Sequence, residues 1–558
     1  MNMRIKLAWC SALIAVAGVV GIAKVNSPEV LWLDFDMKNI PEPKERPSGY
    51  YDAFFKGQVI EGTKQMLDVP RWVRLAAGHP KQSTNVNALD EVPDSSWYTN
   101  RHRVHRLSAD ELRQGPNTGS PDFSTVIVTK AKTAGVTPGL MVKDASGQAY
   151  LIKFDGASYP NLLSGAEVIS TKIMYAAGYN VPENYIAFLD PKAMTIGKDV
   201  QTTDEKTGRK RPLTLDDVQR MLQKAAASPD GRYRVLASKV IGGKPKGPFS
   251  QVGLRTDDPN DLIPHEHRRE LRGLRVISSW INNWDLKEGQ SLDTYVEENG
   301  RKFLRHYLLD FGSSLGADDD PTAYYHGHEY GFDTVSVAKE VFSLGIFESA
   351  SEKRALVISP EVGNFTAVGF NPETWKPTFP SVMFENLTDL DAFWAMRIIL
   401  SFNESDLRNI VETAQYSRPT SANYLVQTLL ERQKMLAAYW LGKVDGLTDF
   451  AVHRTAEGVA MTFKDLMVDQ RLVLADLTKY TYQVKSNSYK SSKTTVGRPE
   501  IKIDRETLAA AIEHGSGDRV IEVSIWPSRR VSDVDPVRVY FEWNPDRDTL
   551  TVRRIARG

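Results

Sequence analysis

The 558-residue sequence predicts an α+β protein of two lobes, with a helical N-terminal extension before them and a β-rich C-terminal domain after them. Three observations carry this. Between 122 and 245, short β-branched runs and Gly-containing turns surround one strong helical stretch. Between 246 and 445, apolar residues recur at three- to four-residue steps. From 446 onward the two-residue alternation of strands returns. The segments 1–24 and 25–121 complete the expected division, and the length alone suggests several domains.

Composition narrows the function classes. Lys and Arg number 70, matched by 70 Asp and Glu, so no global charge points to nucleic acid or to an acidic substrate. The hydrophobic share of 41% is ordinary for a globular protein. The first residues, "MNMRIKLAWCSALIAVAGVVGIAK", place Arg4 and Lys6 before an uncharged, mostly apolar run from Leu7 to Ala23. This predicts a signal peptide or membrane anchor, with the remainder exported or membrane-anchored in the periplasm or cell envelope. Membrane contact is expected through this segment only. The single cysteine, Cys10, lies within it, and Trp9 before it spoils a lipoprotein cleavage box. The rest of the chain therefore has no disulfide and no thiol nucleophile.

The elements follow in order. "NIPEPKERPSG" (39–49) reads as a Pro- and charge-rich linker. Residues 50–115 read as mostly helical and irregular, with Tyr50, Tyr51, Phe54, Phe55, Trp72 and Trp97 available to pack on the lobes. "STVIVTKAK" predicts a strand and "GLMVKDASGQAYLIKFD" (139–155) a hairpin. "LLSGAEVISTKIMYAAG" (162–178) predicts a helix, with Ser164 and Glu167 as an S-x-x-E start and Gly178 as a stop. "VPENYIAFLD" and "RYRVLASKVI" are further strands, separated by a charged insertion with one helix in "TLDDVQRMLQKAAA". After the connector "GGKPKGPFSQ", Leu271, Leu274, Ile277 and Ile281 mark a helix ending near Trp284. Its basic run, Arg268, Arg269, Arg272 and Arg275, suits a solvated face, an anionic substrate or an internal acid partner. "DTYVEENGRKFLRHYLLDFG" predicts a hairpin about Asn299-Gly300. Helices are expected near 388–402, 404–415 and 420–441. In the tail, Val537, Val539, Phe541 and Trp543 alternate with polar neighbours before the turn "NPDRD", a terminal hairpin.

Four motifs carry candidate chemistry. Lys153 sits inside the apolar strand "YLIKFD", and Glu167 lies on the next helix. "NNWDLKEGQ" follows a helix directly and presents Asp285, Lys287 and Gln290. "LLDFGSSLG" ends the hairpin at Asp310. Singly, each has an ordinary explanation: an edge-strand lysine, a capping-box glutamate, a common tripeptide, a strand end with a Gly turn.

Taken together, in this order and context, the motifs resemble those of the protein-kinase-like superfamily, over roughly residues 122–445. The departures point to its atypical side, resembling HipA-type, phosphatidylinositol-kinase-like or spore-coat-kinase-like members. The resemblance implies that Lys153 meets the phosphates of ATP and that Glu167 pairs with and holds Lys153. It implies that Asp285 accepts or orients the proton of an attacking hydroxyl, that Lys287 contacts the transferred phosphoryl group, and that Asp310 binds magnesium. Gln290 stands where a metal-binding Asn is expected. The family's Gly-rich phosphate loop is absent: "TKAKTAGVTPG" (129–139) has only Gly135 and Gly139, with Lys130 and Lys132 beside them. The HRD and APE triplets are absent too. Gln290 is one methylene longer than Asn, and magnesium tolerates poor geometry badly; Asp293, Asn282 or Asn283 are alternative ligands.

The expected function is an ATP- and magnesium-dependent phosphotransferase of the bacterial cell envelope, with a protein or small-molecule acceptor that the sequence leaves open. A catalytically inactive binding or scaffold module is an alternative, and an unrelated envelope ligand-binding protein another. Histidines in "HEHRRE" and "YYHGHEYG" have poor spacing for zinc. The acids of "DDPND" and "ADDDP" lack the Gly and Glu of a calcium loop and read as loop acids and helix caps.

Overall fold

The computed structural model describes residues 30–46, 69–131, 139–203, 209–319, 326–328, 330, 357–486, 489–513, 520–529, 535–544 and 549–557. The apolar run Leu7–Ala23, the aromatic residues Tyr50, Tyr51, Phe54 and Phe55, Lys132 and the turn "NPDRD" beyond Asn544 lie outside them. The protein is mixed α+β with several sheets. No helix among the described residues is long and apolar enough to cross a membrane.

Within its described residues the extension is less helical than its sequence predicts. Its described helices are α1 (Val69–Ala76) and α2 (Ala109–Gln114). The remainder is held by side chains satisfying the main chain, the device that lets Asp, Asn and Ser compete with helix. Asp36 accepts from the Ser96 amide at 3.0 Å and from its hydroxyl at 2.7 Å, and Asn100 Nδ2 donates to Val92 O at 2.8 Å. The expected linker is likewise docked rather than free. Ile40 N donates to Lys302 O, Arg46 N to Lys246 O, and Glu42 pairs with Lys246 at 2.6 Å. Trp97 stacks on His306 at 3.5 Å, so the extension does pack on the helical part of the chain.

Next come β1 (Val126–Ala131), β2 (Gly139–Lys143), β3 (Ala149–Phe154), α3 (Leu162–Ala177), β4 (Asn184–Leu189), β5 (Met194–Ile196), β6 (Gln201–Thr203), β7 (Lys210–Pro212), α4 (Leu215–Leu222) and β8 (Tyr233–Lys239). Six of these strands form one sheet in the order β4-β8-β3-β2-β1-β5. Along β3, Tyr150, Ile152 and Phe154 enter the core that Val218 and Leu222 of α4 also join, so strand alternation puts Lys153 on the opposite face. Helix α3 is buried on nearly every side. It packs on the sheet, while its Ile169, Ile173 and Met174 belong to the core of the helical part.

The helical part contains β9 (Lys244–Pro245), α5 (Arg269–Ile281), β10 (Ser291–Glu298), β11 (Arg301–Leu308), α6 (Val382–Glu385), α7 (Asp389–Ile399), α8 (Glu404–Glu412) and α9 (Pro419–Trp440). The β10–β11 turn has φ of 51° at Asn299 and 73° at Gly300, as the Asn-Gly pair predicts. The basic run is not a solvated face. Arg268, Arg269 and Arg272 are buried, and their partners are internal acids: Asp261 at 3.4 Å from Arg268, and Asp391 at 3.2 Å from Arg269 and 3.1 Å from Arg272. Arg275 is half-buried and donates to the carbonyls of Glu373 and Trp375.

The tail forms β12 (Leu447–Thr455), β13 (Gly458–Asp465), α10 (Leu466–Asp469), β14 (Lys479–Lys485), β15 (Thr494–Val496), β16 (Glu500–Asp504), α11 (Arg505–Glu513), β17 (Val520–Ser528), β18 (Val537–Asn544) and β19 (Thr549–Ala556). These build two sheets, β12-β13-β16 and β15-β14-β17-β18-β19, with Val537, Val539 and Phe541 in their shared core. Arg557 ties the tail back, pairing with Asp445 and with Asp90 of the extension.

Candidate functional site

Three of the predicted residues meet. Lys153 Nζ lies 3.0 Å from Glu167 Oε2 and 2.6 Å from Asp310 Oδ1. They come from β3, α3 and the segment after β11, separated by 14 and 157 positions. Burial alone would lower the lysine pKa. The charges of Glu167 and then Asp310 outweigh it and hold the ammonium above its usual range. Glu167 is buried, whereas the Asp310 side chain is 42% exposed, so the triad faces solvent through the aspartate.

Local chemistry explains why Glu167 is available. Ser164 does not cap α3: the helix begins at Asn161, which has left-handed φ of 68° and no side-chain cap. The Ser164 hydroxyl instead donates to Asp155 Oδ2 at 2.5 Å and accepts from Arg234 Nε at 3.1 Å. The capping box suggested by "SGAE" is therefore not formed, and Glu167 turns to the sheet. Asp310 also has left-handed φ, 58°. The next residue, Phe311, is buried in the helical core, and Gly312 passes close to the glutamate, where a Cβ would lie 3.4 Å from Glu167 Oε2.

The "DLK" loop runs beside this segment. Leu309 N donates to Gln290 O at 2.9 Å, Trp284 N to Ser313 O at 3.3 Å and Leu315 N to Ile281 O at 2.8 Å. Three main-chain bonds thus lay 281–290 along 309–315. Within the loop, Lys287 Nζ contacts both carboxylate oxygens of Asp285, at 2.8 and 2.9 Å, and Gln290 Nε2 donates to Asp285 Oδ2 at 2.9 Å. Behind it, Arg432 caps the end of α5, donating to Trp280 O at 2.9 Å and to Ser279 O, while its guanidinium lies 3.6 Å over the Phe370 ring.

No family model matches this chain, and no curated protein does. Among solved structures it is similar to the Helicobacter pylori proinflammatory kinase CtkA. That match has 12% identity and a TM-score of 0.30, and covers 58% of this chain and 99% of the other. So distant a likeness assigns neither a family nor an activity.

The alternative metal ligands are sorted by their partners. Asp293 is buried between His306 Nδ1 at 2.6 Å and Arg255 at 2.7 Å. Asn282 Oδ1 accepts from Trp375 Nε1 at 2.9 Å. Asn283 Oδ1 is buried and has no hydrogen-bond partner among the described residues. The acids of "DDPND" are occupied as well. Burial would raise the Asp261 pKa, but the hydrogen bond and charge of His265, with Arg268, hold it at about 2. Among the described residues no cluster of three or more His, Cys, Asp or Glu is arranged to hold a metal. One residue had no signal in the sequence: Asn184, at the start of β4, whose Nδ2 lies 2.9 Å from Thr171 Oγ1 and 3.5 Å from Glu167 Oε1.

Proposed function

We propose that this chain is an atypical kinase-like protein of two lobes that binds ATP with magnesium and transfers phosphate to a protein or small-molecule acceptor. The meeting of Lys153 with Glu167 and Asp310 carries the reading. A lysine fixed by a buried glutamate and facing a solvent-accessible aspartate is a site for a polyanion and a hard cation together. Lys153 would bind the phosphates, and Glu167 would hold Lys153 in place. Asp310 would offer magnesium one partly exposed carboxylate, and phosphate oxygens and water would complete the shell, the mode in which magnesium is held through one or two carboxylates. Magnesium, when bound, would neutralise charge on the phosphates. Asp285, on a loop hydrogen-bonded to the Asp310 segment, is the acceptor's proton partner, and Lys287 is a cation for the transferred group.

A second reading is favoured by Gln290. Its amide nitrogen is directed at Asp285, which Lys287 also engages, and this arrangement suits a module that binds nucleotide without turnover. One set of measurements separates the readings. Thermal unfolding of the full chain should shift upward with ATP and magnesium or manganese, by mass action. The shift should vanish in Lys153→Ala and Asp310→Ala. Absence of a shift with any nucleotide sinks both readings. Phosphate transfer or ATP hydrolysis lost in Asp285→Ala, with the shift retained, establishes the enzyme; a shift without turnover in the native chain establishes the binding module. The proposal places the protein in the cell envelope, which a reporter fused to the C-terminus tests by reading the side of the membrane it reaches.

A further inference from the structure

A cavity of about 370 Å³ opens between the end of α2, helix α3, the start of β4 and the end of α8, with Val168 and Ile186 as its apolar floor. Its size is that of a small-molecule pocket. The polar lining is unusual. Lys172 is buried and, among the described residues, has no acidic partner; Nζ is held by the main-chain carbonyls of Arg113 at 2.5 Å and Gln114 at 2.9 Å. Asn184 is also buried, and among the described residues its Oδ1 has no hydrogen-bond partner, Nδ2 being directed to Thr171 and Glu167. The other charges on the lining, Arg113 and Glu412, pair with each other at 3.6 Å. The balance therefore leaves one positive charge and one unmet acceptor.

We propose that this cavity binds a small oxyanion that also carries an O–H donor, a phosphate bearing P–OH or an α-hydroxycarboxylate, its charge on Lys172 and its hydroxyl on Asn184. Because Asn184 Nδ2 also faces Glu167, occupancy bears on the Lys153 pair, a coupling that rests on the nucleotide reading above.

Burial lowers the Lys172 pKa to about 8. The charged and titratable groups facing it from the other elements are Arg113 from α2, Glu412 from α8 and Tyr185 from β4, and burial pushes the tyrosine above its usual range. Affinity for a non-titrating anion should therefore fall as pH rises through about 8.

The probes are inorganic phosphate, lactate and sulfate, titrated calorimetrically into the full chain at constant ionic strength. Phosphate and lactate should bind at least tenfold tighter than sulfate, which lacks the donor. Lys172→Met keeps the aliphatic stem that lies against Gly115 and should abolish the difference. Lactate affinity should fall about tenfold per pH unit above pH 8. Equal weak binding of all three anions in both chains is an adventitious ion only and overturns the site; Lys172 then serves only to cap α2. Should Lys172→Met not fold, a crystal of the native chain soaked in phosphate decides: density between Lys172 Nζ and Asn184 supports the site, and water alone overturns it. Lys172-dependent binding that leaves ATP–magnesium affinity unchanged overturns the coupling and keeps the site. Lys172-dependent binding in a chain that takes no nucleotide counts against the nucleotide reading alone.

Discussion

Replacing Lys153 with methionine removes the charge that two carboxylates share. Asp310 is 42% exposed and returns to water at little cost. Glu167 is not so placed: it is 4% exposed. Removing one partner of a buried ion pair costs about 3–5 kcal/mol. The open side of the triad admits water, so the lower end, ~3 kcal/mol, is expected. The double variant Lys153→Met/Glu167→Gln removes both charges of the pair and should recover about 2 kcal/mol, a coupling that a double-mutant cycle isolates. With several cores the chain need not unfold in one step, so amide exchange in β3 and α3 is the appropriate measurement alongside denaturant unfolding. If the single and double variants agree within about 0.5 kcal/mol, Glu167 and Lys153 are not coupled and the triad does not have the electrostatics described.

Gly273→Ala should destabilise by about 1–2 kcal/mol despite the better helix propensity of alanine, because the new Cβ would lie 2.8 Å from the buried Trp394 ring; thermal unfolding reads it. Arg432→Met should cost about 3 kcal/mol or more in urea unfolding, since it strips the capping donors from the carbonyls of Ser279 and Trp280 and leaves them buried. Lys172 has a folded pKa of about 8, below its ordinary 10.5, so between these values the unfolded chain binds more protons and stability rises with pH. Urea midpoints at pH 7.5 and 10 should show that rise, up to ~3 kcal/mol, in the native chain relative to Lys172→Met.

The candidate triad was legible because its signals are local: a lysine inside an apolar strand, a glutamate on the next helix, an aspartate at a hairpin's end. Glu167 shows the limit of that legibility. Its sequence fits a capping box equally well, and what decides against the box is Asp155, which takes the Ser164 hydroxyl. Arg268, Arg269 and Arg272 were legible as part of a basic run but not as buried, because Asp391, which pairs with two of them, stands 119 and 122 positions away. The extension escapes prediction for a similar reason. Its described part is held by isolated side-chain hydrogen bonds, Asp36 accepting from Ser96 and Asn100 donating to Val92, which leave no periodicity to read. Asn184 gave no sign at all, since a polar residue opening a strand is common and its neighbour Glu167 lies on another element.

On the proposed nucleotide reading, the charges of the candidate site imply a binding order. Among its described side chains, Glu167, Asp285 and Asp310 oppose Lys153 and Lys287, leaving one negative charge. Both cations are already engaged, Lys153 by Asp310 at 2.6 Å and Lys287 by Asp285 at 2.8 Å. A nucleotide arriving alone meets no uncommitted ammonium in this set. A divalent cation would meet the partly exposed Asp310 carboxylate, and Asp310, turned toward that cation, would release Lys153 to the phosphates. ATP should therefore bind at least tenfold more weakly in EDTA than with magnesium, and Asp310→Asn should narrow that gap by strengthening metal-free binding. Calorimetry on both chains tests it, and equal affinity with and without metal in the native protein refutes the order.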